Sequence, residues 1–480
     1  MKQFSKVCDA ADWFDPALQT VIDRELEEPA RLHRKQWEFA MIFLALQHYG
    51  LVTPEKTGLS LGGGRELLIY ALARRIKRLI ATDLYDSDSD WDTARTGNPD
   101  QFLKANMPFP VDPQRFEALR MDMRRLDFPD DHFDFCYSSC SFEHIGDDAD
   151  FLAHLNEVQR VLKPGGFYVF TTELHFGAET IRDAHNYVFA PAHLRQLIAD
   201  STLVPRESEV DARLTPNQVN FPQHAGLMQL FHLNGGEAEA LWQACNPHVL
   251  LLRGKYPFTS VLFVLQKDLQ ADPRSTVTFQ GIEASRAFIR EGLGRYRDHL
   301  NRSSFSINPF AALPRTRARF FCDHREFLAA EAPAAGGDNT LFHSDYLWMG
   351  SGRRRFQIDL KVTELDPGEA CRIQLRIHRY ATLQSAQIDC PVELDVPVTQ
   401  TGEMICDLYL DVDEDHSYAV LGKMQSGICR FADVRITAQT AAPGTPQDHP
   451  HQQPQTANFH WEKLWTSLHG ALPGFTRKAN

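Results

Sequence analysis

At 480 residues, 43% of them hydrophobic and 24% charged, the chain has material for two or more domains with substantial cores. Fifty basic residues against 63 acidic ones leave a formal charge of −13, which argues against a general affinity for nucleic-acid phosphates. The nine cysteines include no Cys-x-x-Cys pair and the twenty histidines no His-Glu-x-x-His helix, so free thiols and no metal site are expected.

Met1 to Asp15 carries Asp9, Asp12 and Asp15 and no apolar core of signal-peptide length. The richest apolar run, Phe39 to Leu46, is too short to span a bilayer, so a cytosolic protein without an integral membrane segment is expected. Pro16 to Tyr49 reads as helical, with Trp37, Ala40, Met41, Leu44 and Ala45 at helical spacing, and would be a lid or flank.

Next, a short apolar strand, Gly58-Leu59-Ser60-Leu61, runs into Gly62, Gly63 and Gly64; a helix follows, and a second strand ends at Asp83. Three glycines let a ligand approach the backbone, and Asp83, 21 positions after Gly62, is spaced to accept hydrogen bonds from ribose hydroxyls. The connection Leu84 to Leu119 is long for a compact domain and reads as a functional loop, with Trp91 as a candidate cover over the site. Strands are predicted at Phe116–Met121, ending on Asp122-Met123, and at Phe133–Ser139, running into Cys140 to Ile145. A helix over Asp150–Leu162 stops at Lys163-Pro164-Gly165-Gly166, and Phe167–Thr172 follows as a buried strand. Glu173 to Phe176 then stands at the strand's carboxyl end, Pro191 opens a helix, and Val261–Leu265 suits a closing strand. The span Thr215 to His224 lies between them as a candidate acceptor-pocket segment.

From Phe133-Asp134 through Glu143-His144-Ile145 to Arg160-Val161-Leu162-Lys163-Pro164-Gly165-Gly166, the chain resembles the class I S-adenosylmethionine-dependent methyltransferases, over roughly Trp37 to Lys267. A nicotinamide dehydrogenase is disfavoured, because the glycine turn lacks the third glycine that lets a helix press against a pyrophosphate. The resemblance implies a doubly wound, Rossmann-like α/β domain with S-adenosyl-L-methionine as cofactor. It implies Gly62 and Gly64 under the methionine part, Asp83 at the ribose, Asp122 and Met123 flanking the adenine and Ser139 near the sulfonium, with Gly63 and Leu84 also in the cofactor site. Two positions depart from the family pattern: Ser60 stands where an acidic residue is usual, and Glu66 where a glycine is usual. Methyl transfer to a hydroxyl needs a proton acceptor, and His144 and His175, each just past a strand end, are the catalytic candidates.

After Lys267 a helix over Glu283–Leu300 and an alanine- and glycine-rich stretch to Asn339 read as a linker. From Phe356 the pattern alternates, and short strands at Arg372–His378, Val392–Val396, Met404–Asp411, Tyr418–Leu421 and Cys429–Thr437 predict an all-β sandwich. It resembles, by pattern, sandwich modules that bind carbohydrate, with Tyr346, Trp348, Tyr380 and Tyr409 as candidate sugar-stacking residues. Arg353-Arg354-Arg355 reads as a solvated loop, with a local basic cleft as the alternative. The proline- and glutamine-rich stretch Ala441–Asn458 precedes a short apolar stripe, Phe459, Trp461, Leu464, Trp465 and Leu468, suited to docking on a protein partner.

The expected organisation is a methyltransferase domain over 1–268, a linker over 269–340, a sandwich over 341–440 and a tail over 441–480. The expected activity is O-methylation of a sugar or glycan in surface-glycan assembly, in the cytoplasm. The alternatives are a small-molecule or natural-product methyltransferase and an inactive assembly or glycan-binding subunit. A homo-oligomer is left open.

Overall fold

The computed structural model describes residues 3–88, 93–182, 186–221, 247–253, 255–268, 276–307, 319–323, 326–331, 340–344, 346–365, 370–380, 387–426 and 429–442. Trp91, the Asp366-Pro367-Gly368 turn, most of the proline- and glutamine-rich stretch and the apolar stripe at 459–468 lie outside them.

The amino-terminal half is a doubly wound sheet between two layers of helix. Helix α1 (Pro16–Arg24) starts where Asp15 accepts the Ala17 N–H and Pro16 supplies a preset first turn. The single helix expected over 16–49 is in fact two, because Pro29 and the extended residues around it intervene before α2 (Arg34–His48). Strand β1 (Thr57–Leu61), helix α3 (Leu67–Ala73), strand β2 (Arg78–Asp83), helix α4 (Pro99–Ala105), strand β3 (Phe116–Arg120) and strand β4 (Phe133–Ser139) follow. Helix α5 (Asp148–Val161) opens on a capping box in which Asp147 and Asp150 bond reciprocally to each other's backbone N–H.

Strand β5 (Leu162–His175) begins directly where α5 ends, earlier than expected, because Gly165 at φ +79° lets the Lys163–Gly166 segment bend within the strand. Helix α6 (Pro191–Asp200) and strand β6 (Tyr256–Gln266) complete the main frame. The central order is β3-β2-β1-β4-β5-β6, parallel except for β6, which runs antiparallel to β5. Strand order therefore reverses between β1 and β4, the place where open α/β sheets leave a crevice beyond their carboxyl ends. On one face Trp37, Phe43 and Leu46 of α2 pack with Leu68 and Leu72 of α3; on the other Phe151, Leu155 and Val158 of α5 pack with Tyr168 and Phe170 of β5.

Helix α7 (Ile282–Leu300) leads to two antiparallel sheets. One orders β8 (Arg319–Asp323), β9 (Glu326–Glu331), β16 (Cys429–Thr440), β11 (Gly352–Leu365) and β14 (Gly402–Val412), with β7 (Ser304–Ile307) also on β16. The other orders β10 (Thr340–His343), β15 (Ser417–Ser426), β12 (Cys371–Tyr380) and β13 (Gln387–Val398). Phe356, Ile358, Leu360 and Val362 of β11 and Ile373, Leu375 and Ile377 of β12 are buried between them, as period-two alternation requires of a sandwich.

Three sequence readings change here. Arg353, Arg354 and Arg355 lie on β11 rather than in a loop: Arg353 and Arg355 pair with Asp411 and Asp407 of β14, and Arg354 is buried. Tyr380 and Tyr409 sit in the core and offer no open sugar platform. Tyr346 packs edge-on against Tyr380 with ring centroids 4.8 Å apart, while Trp348 lies under Arg297 of α7 and donates to the Glu414 carbonyl.

Candidate active site

The crevice between β1 and β4 is built first from backbone. Gly62 and Gly64 adopt φ +65° and +46°, a region in which a side chain is strained. A Cβ on Gly62 would come 2.5 Å from the Ser141 Cβ, and one on Gly64 would come 3.0 Å from Thr93, so the turn also has no room for one. Gly63 donates its N–H to the Thr82 carbonyl, locking the turn to β2.

Asp83 ends β2 beside this turn. Its two carboxylate oxygens accept the Gly64 N–H at 2.8 Å and the Leu84 N–H at 2.7 Å, which leaves each oxygen a further lone pair. Burial pushes its pKa up, and those two N–H groups hold it back. Leu84, next in the chain, is 59% exposed, an apolar side chain left on the crevice lip. The loop beyond it turns back through Tyr85, buried at φ +23°, whose hydroxyl donates to the Gly64 carbonyl at 2.6 Å.

Asp122 and Met123 follow β3. Met123 Sδ lies 3.6 Å from where a Gly62 Cβ would be, so the sulfur flanks the glycine turn. Asp122 is held by Arg124, whose guanidinium also reaches Asp150 at 2.9 Å and the Ile145 carbonyl at 3.1 Å. Hydrogen bonds from Arg124 hold the Asp122 carboxyl below its ordinary range. Ser139, at the end of β4, is buried, and its carbonyl accepts from Lys35 Nζ at 2.8 Å. Gly62, Gly63, Gly64, Asp83, Asp122, Met123 and Ser139 thus stand on adjoining strand ends.

The two catalytic candidates stand apart. His144 is exposed on the short turn after β4, while its neighbour Glu143 faces inward. Burial holds the His175 imidazole down at about 4, and its Nδ1 accepts the Gly177 N–H at 3.1 Å, which leaves Nε2 as the protonated nitrogen.

Sequence reasoning missed a buried charge network that α2 delivers to the same strand ends. Glu38 has no exposed surface; Oε1 accepts from Ser260 Oγ at 2.5 Å and Cys140 Sγ at 3.2 Å, and Oε2 accepts from Ser139 Oγ at 3.0 Å. Lys35 lies 3.1 Å from Glu38 and 3.4 Å from Glu66. Arg34 pairs with Glu173 at 2.5 Å, whose second oxygen accepts from Asn186 at 3.0 Å. Burial alone would raise the Glu38 pKa, but the charges of Lys35 and Arg34 overcome it and draw it down to about 2. Glu143 is also buried: Oε2 accepts from Thr172 at 2.8 Å and Oε1 has no hydrogen-bond partner among the described residues. Burial, with Glu173 nearby, raises its pKa. Cys140 occupies φ +48°, a strained conformation for a residue with a Cβ, at the centre of this network. The available signal was Glu38 itself, since every residue from Gln36 to Leu46 is buried and a carboxylate inside such a helix must find partners.

Residues 59–170 match the family model described as "Methyltransferase domain". No curated protein matches the chain. Among solved structures, geranyl diphosphate C-methyltransferase from Streptomyces coelicolor A3(2), in complex with Mg2+, geranyl diphosphate and S-adenosyl-L-homocysteine, is 18% identical; the match covers 55% of this chain and 88% of that one, with a TM-score of 0.32. The YcgJ protein from Bacillus subtilis is 16% identical over 47% of this chain and 97% of its own, with a TM-score of 0.31. Scores this low carry no functional weight; the family match and the doubly wound sheet do. Residues 59–170 carry a methyltransferase domain, built on a Rossmann-like sheet. The protein is an S-adenosylmethionine-dependent methyltransferase. No helix among the described residues is long and apolar enough to cross a membrane.

Proposed function

We propose that the crevice transfers a methyl group to a hydroxyl of a polar, sugar-like acceptor, in the cytoplasm and in the service of glycan assembly. The observation that carries this reading is the polarity at the carboxyl ends of β4 and β5, where Glu143 accepts from Thr172, Glu173 accepts from Asn186 and His175 closes the strand, whereas a lipid-like acceptor would call for apolar walls. We assign the cofactor to the glycine turn, on two features. The turn is a cradle that any Cβ would fill, and Asp83 keeps lone pairs for a ribose diol. Asp83 would then hold the ribose, Leu84 and Met123 would flank the adenine with Asp122 at its edge, and Gly62, Gly63, Gly64 and Ser139 would lie along the methionine portion. When bound, S-adenosylmethionine supplies an electrophilic methyl group on a sulfonium.

The rest of the chemistry falls to this chain's side chains. Glu143 Oε1, unpartnered and raised in pKa, removes the hydroxyl proton, and exposed His144, adjacent in the chain, passes it to solvent. His175, neutral, shapes the rim at the end of β5, its ring held by the backbone of Gly177 and Glu179. Arg34 and Lys35 fix the strand ends so that the acceptor meets the methyl group in line.

Calorimetry with S-adenosylmethionine and its Asp83→Ala control tests the cofactor site: binding in the wild type and loss in the variant are expected. Methyl uptake from labelled donor onto a sugar panel tests the acceptor. Glu143→Gln is expected to lower kcat by about a hundredfold or more without changing donor affinity. A small-molecule acceptor is the second reading, favoured by the burial of Tyr380 and Tyr409, which leaves the sandwich without those two sugar platforms. Uptake onto small hydroxyl compounds but no sugar would establish it. Binding of donor without uptake by any acceptor would instead support an assembly role.

A further inference from the structure

Glu66 stands where the family resemblance expects glycine, and its carboxylate points inward, toward Lys35 of α2. It begins α3, yet instead of capping that helix it lies 3.4 Å from Lys35 Nζ through Oε1. Its Oε2 is fully buried and has no hydrogen-bond partner among the described residues. The groups whose charge it feels come from every neighbouring element: Lys35 and Glu38 on α2, Asp83 at the end of β2, Tyr85 in the loop after it, and Tyr137 on β4. Lys35 cannot serve Glu66 fully, because its ammonium also sits on the Ser139 carbonyl at 2.8 Å and beside Glu38 at 3.1 Å. A buried carboxylate with half its acceptor capacity unused, shared with one overcommitted cation, is a place that an additional positive charge would complete.

We propose that Glu66 makes this crevice select for charge, so that it prefers the cationic sulfonium form of the cofactor over the neutral thioether product. The inference rests on the assignment of the crevice to that cofactor. It gives product release a physical cause: once the methyl group has left, the ligand has lost the positive charge that Glu66 attracts. Without a cationic ligand Glu66 holds a proton, since burial, aided by Glu38 and Asp83 and opposed by Lys35, pushes its pKa up to about 8. Binding of the sulfonium then releases that proton to solvent, whereas binding of the thioether leaves it in place. Preference for the sulfonium therefore rises with pH. S-adenosylmethionine and S-adenosylhomocysteine carry the same amino acid, ribose and adenine, so titrations of groups facing those parts cancel in the ratio of their affinities.

The experiment is calorimetry of the full chain with S-adenosylmethionine and with S-adenosylhomocysteine from pH 6 to pH 9, each in two buffers of different ionisation enthalpy. Near pH 7 the sulfonium compound should release protons and the thioether should not, and the affinity ratio should climb by about tenfold or more across the range. Glu66→Gln, which keeps size and hydrogen bonding but no charge, should flatten the pH dependence and lower the ratio by about tenfold. Glu66→Gly should do the same, and the proton release of the wild type gives a readout that requires neither variant to fold. A ratio that is flat with pH and unchanged in Glu66→Gln overturns this inference while leaving the cofactor site standing. Failure of the wild type to bind either compound overturns both.

Discussion

Replacing Glu38 by glutamine isolates what one buried charge contributes to the strand-end network. The substitution keeps the side chain's length and one acceptor oxygen, but removes the negative charge that Lys35 meets at 3.1 Å and Arg34 at 3.4 Å. Two routes give the magnitude. With a pKa of about 2 in the folded protein against 4.5 for the ordinary group, the ionised form favours folding by about 3 kcal/mol at pH 7. Breaking a buried ion pair from one side costs roughly 3–5 kcal/mol. The lower end applies here, because Glu38 raises the Glu66 pKa, and its removal lets Glu66 ionise more readily and take over Lys35. The sign follows from a depressed folded pKa: the stabilisation is complete above the ordinary carboxylate range and is lost as pH falls toward 2. At pH 4 the deficit of the variant should already have shrunk by roughly 0.8 kcal/mol. Urea unfolding of wild type and Glu38→Gln at pH 7 and pH 4 measures both numbers. A variant within about 0.5 kcal/mol of wild type at pH 7, or one whose deficit is the same at both pH values, would refute the assignment of a net stabilising charge to Glu38.

Two further outcomes are expected. Gly62→Ala and Gly64→Ala should each cost about 1–2 kcal/mol for the positive φ alone, more for Gly62 because its Cβ meets Ser141, and both should abolish measurable donor binding in calorimetry. His154, fully buried, donates through Nδ1 to the Met123 carbonyl at 2.9 Å and accepts the Tyr168 hydroxyl at 2.8 Å through Nε2; burial holds its pKa down at about 4. With a folded pKa below the ordinary 6.5, its neutral form stabilises fully above that value and the contribution disappears as pH falls through 4; His154→Gln should remove this acid sensitivity from thermal unfolding curves, leaving a pH-independent loss of about 1–3 kcal/mol.

The sheet was legible because parallel strands covered on both faces are nearly continuous apolar runs: Leu59, Leu61, Leu79, Ala81, Phe135, Tyr137 and Val169 are all buried. The glycine turn and the carboxylate at the end of β2 read directly from spacing, but the positive φ of Gly62 and Gly64 did not. The charge network did not, because its members lie far apart in sequence: Glu38 meets Ser139 and Ser260 across 101 and 222 residues. Strand β7 was equally hidden, since its four residues pair with β16 more than a hundred positions later, within a stretch that reads as linker. Tyr380 and Tyr409 misled for the opposite reason. An aromatic on a strand looks the same in sequence whether it points at solvent or into the sandwich, and here both point inward.

A count of charges at the strand ends connects these observations. In the network around α2, Arg34 and Lys35 bring two cations and Glu38, Glu66, Glu143 and Glu173 bring four carboxyls, apart from Asp83 at the end of β2, whose pKa burial also raises but whose two oxygens both accept backbone N–H groups. Glu38 and Glu173 take the closest contacts with the cations, at 3.1 Å and 2.5 Å, and Glu66 shares Lys35 at 3.4 Å. The other two are the carboxyls whose pKa values burial raises, and each has one oxygen without a hydrogen-bond partner among the described residues. A network meant only for stability would not bury two such groups, because each costs more unpaired than an apolar side chain in its place. The surplus makes sense if the missing charges arrive with the reactants. A cation entering beside Glu66 completes one carboxylate, and a proton from the acceptor completes Glu143. Losing either carboxylate should therefore impair methyl transfer while stabilising the empty protein, the reverse of what Glu38→Gln does.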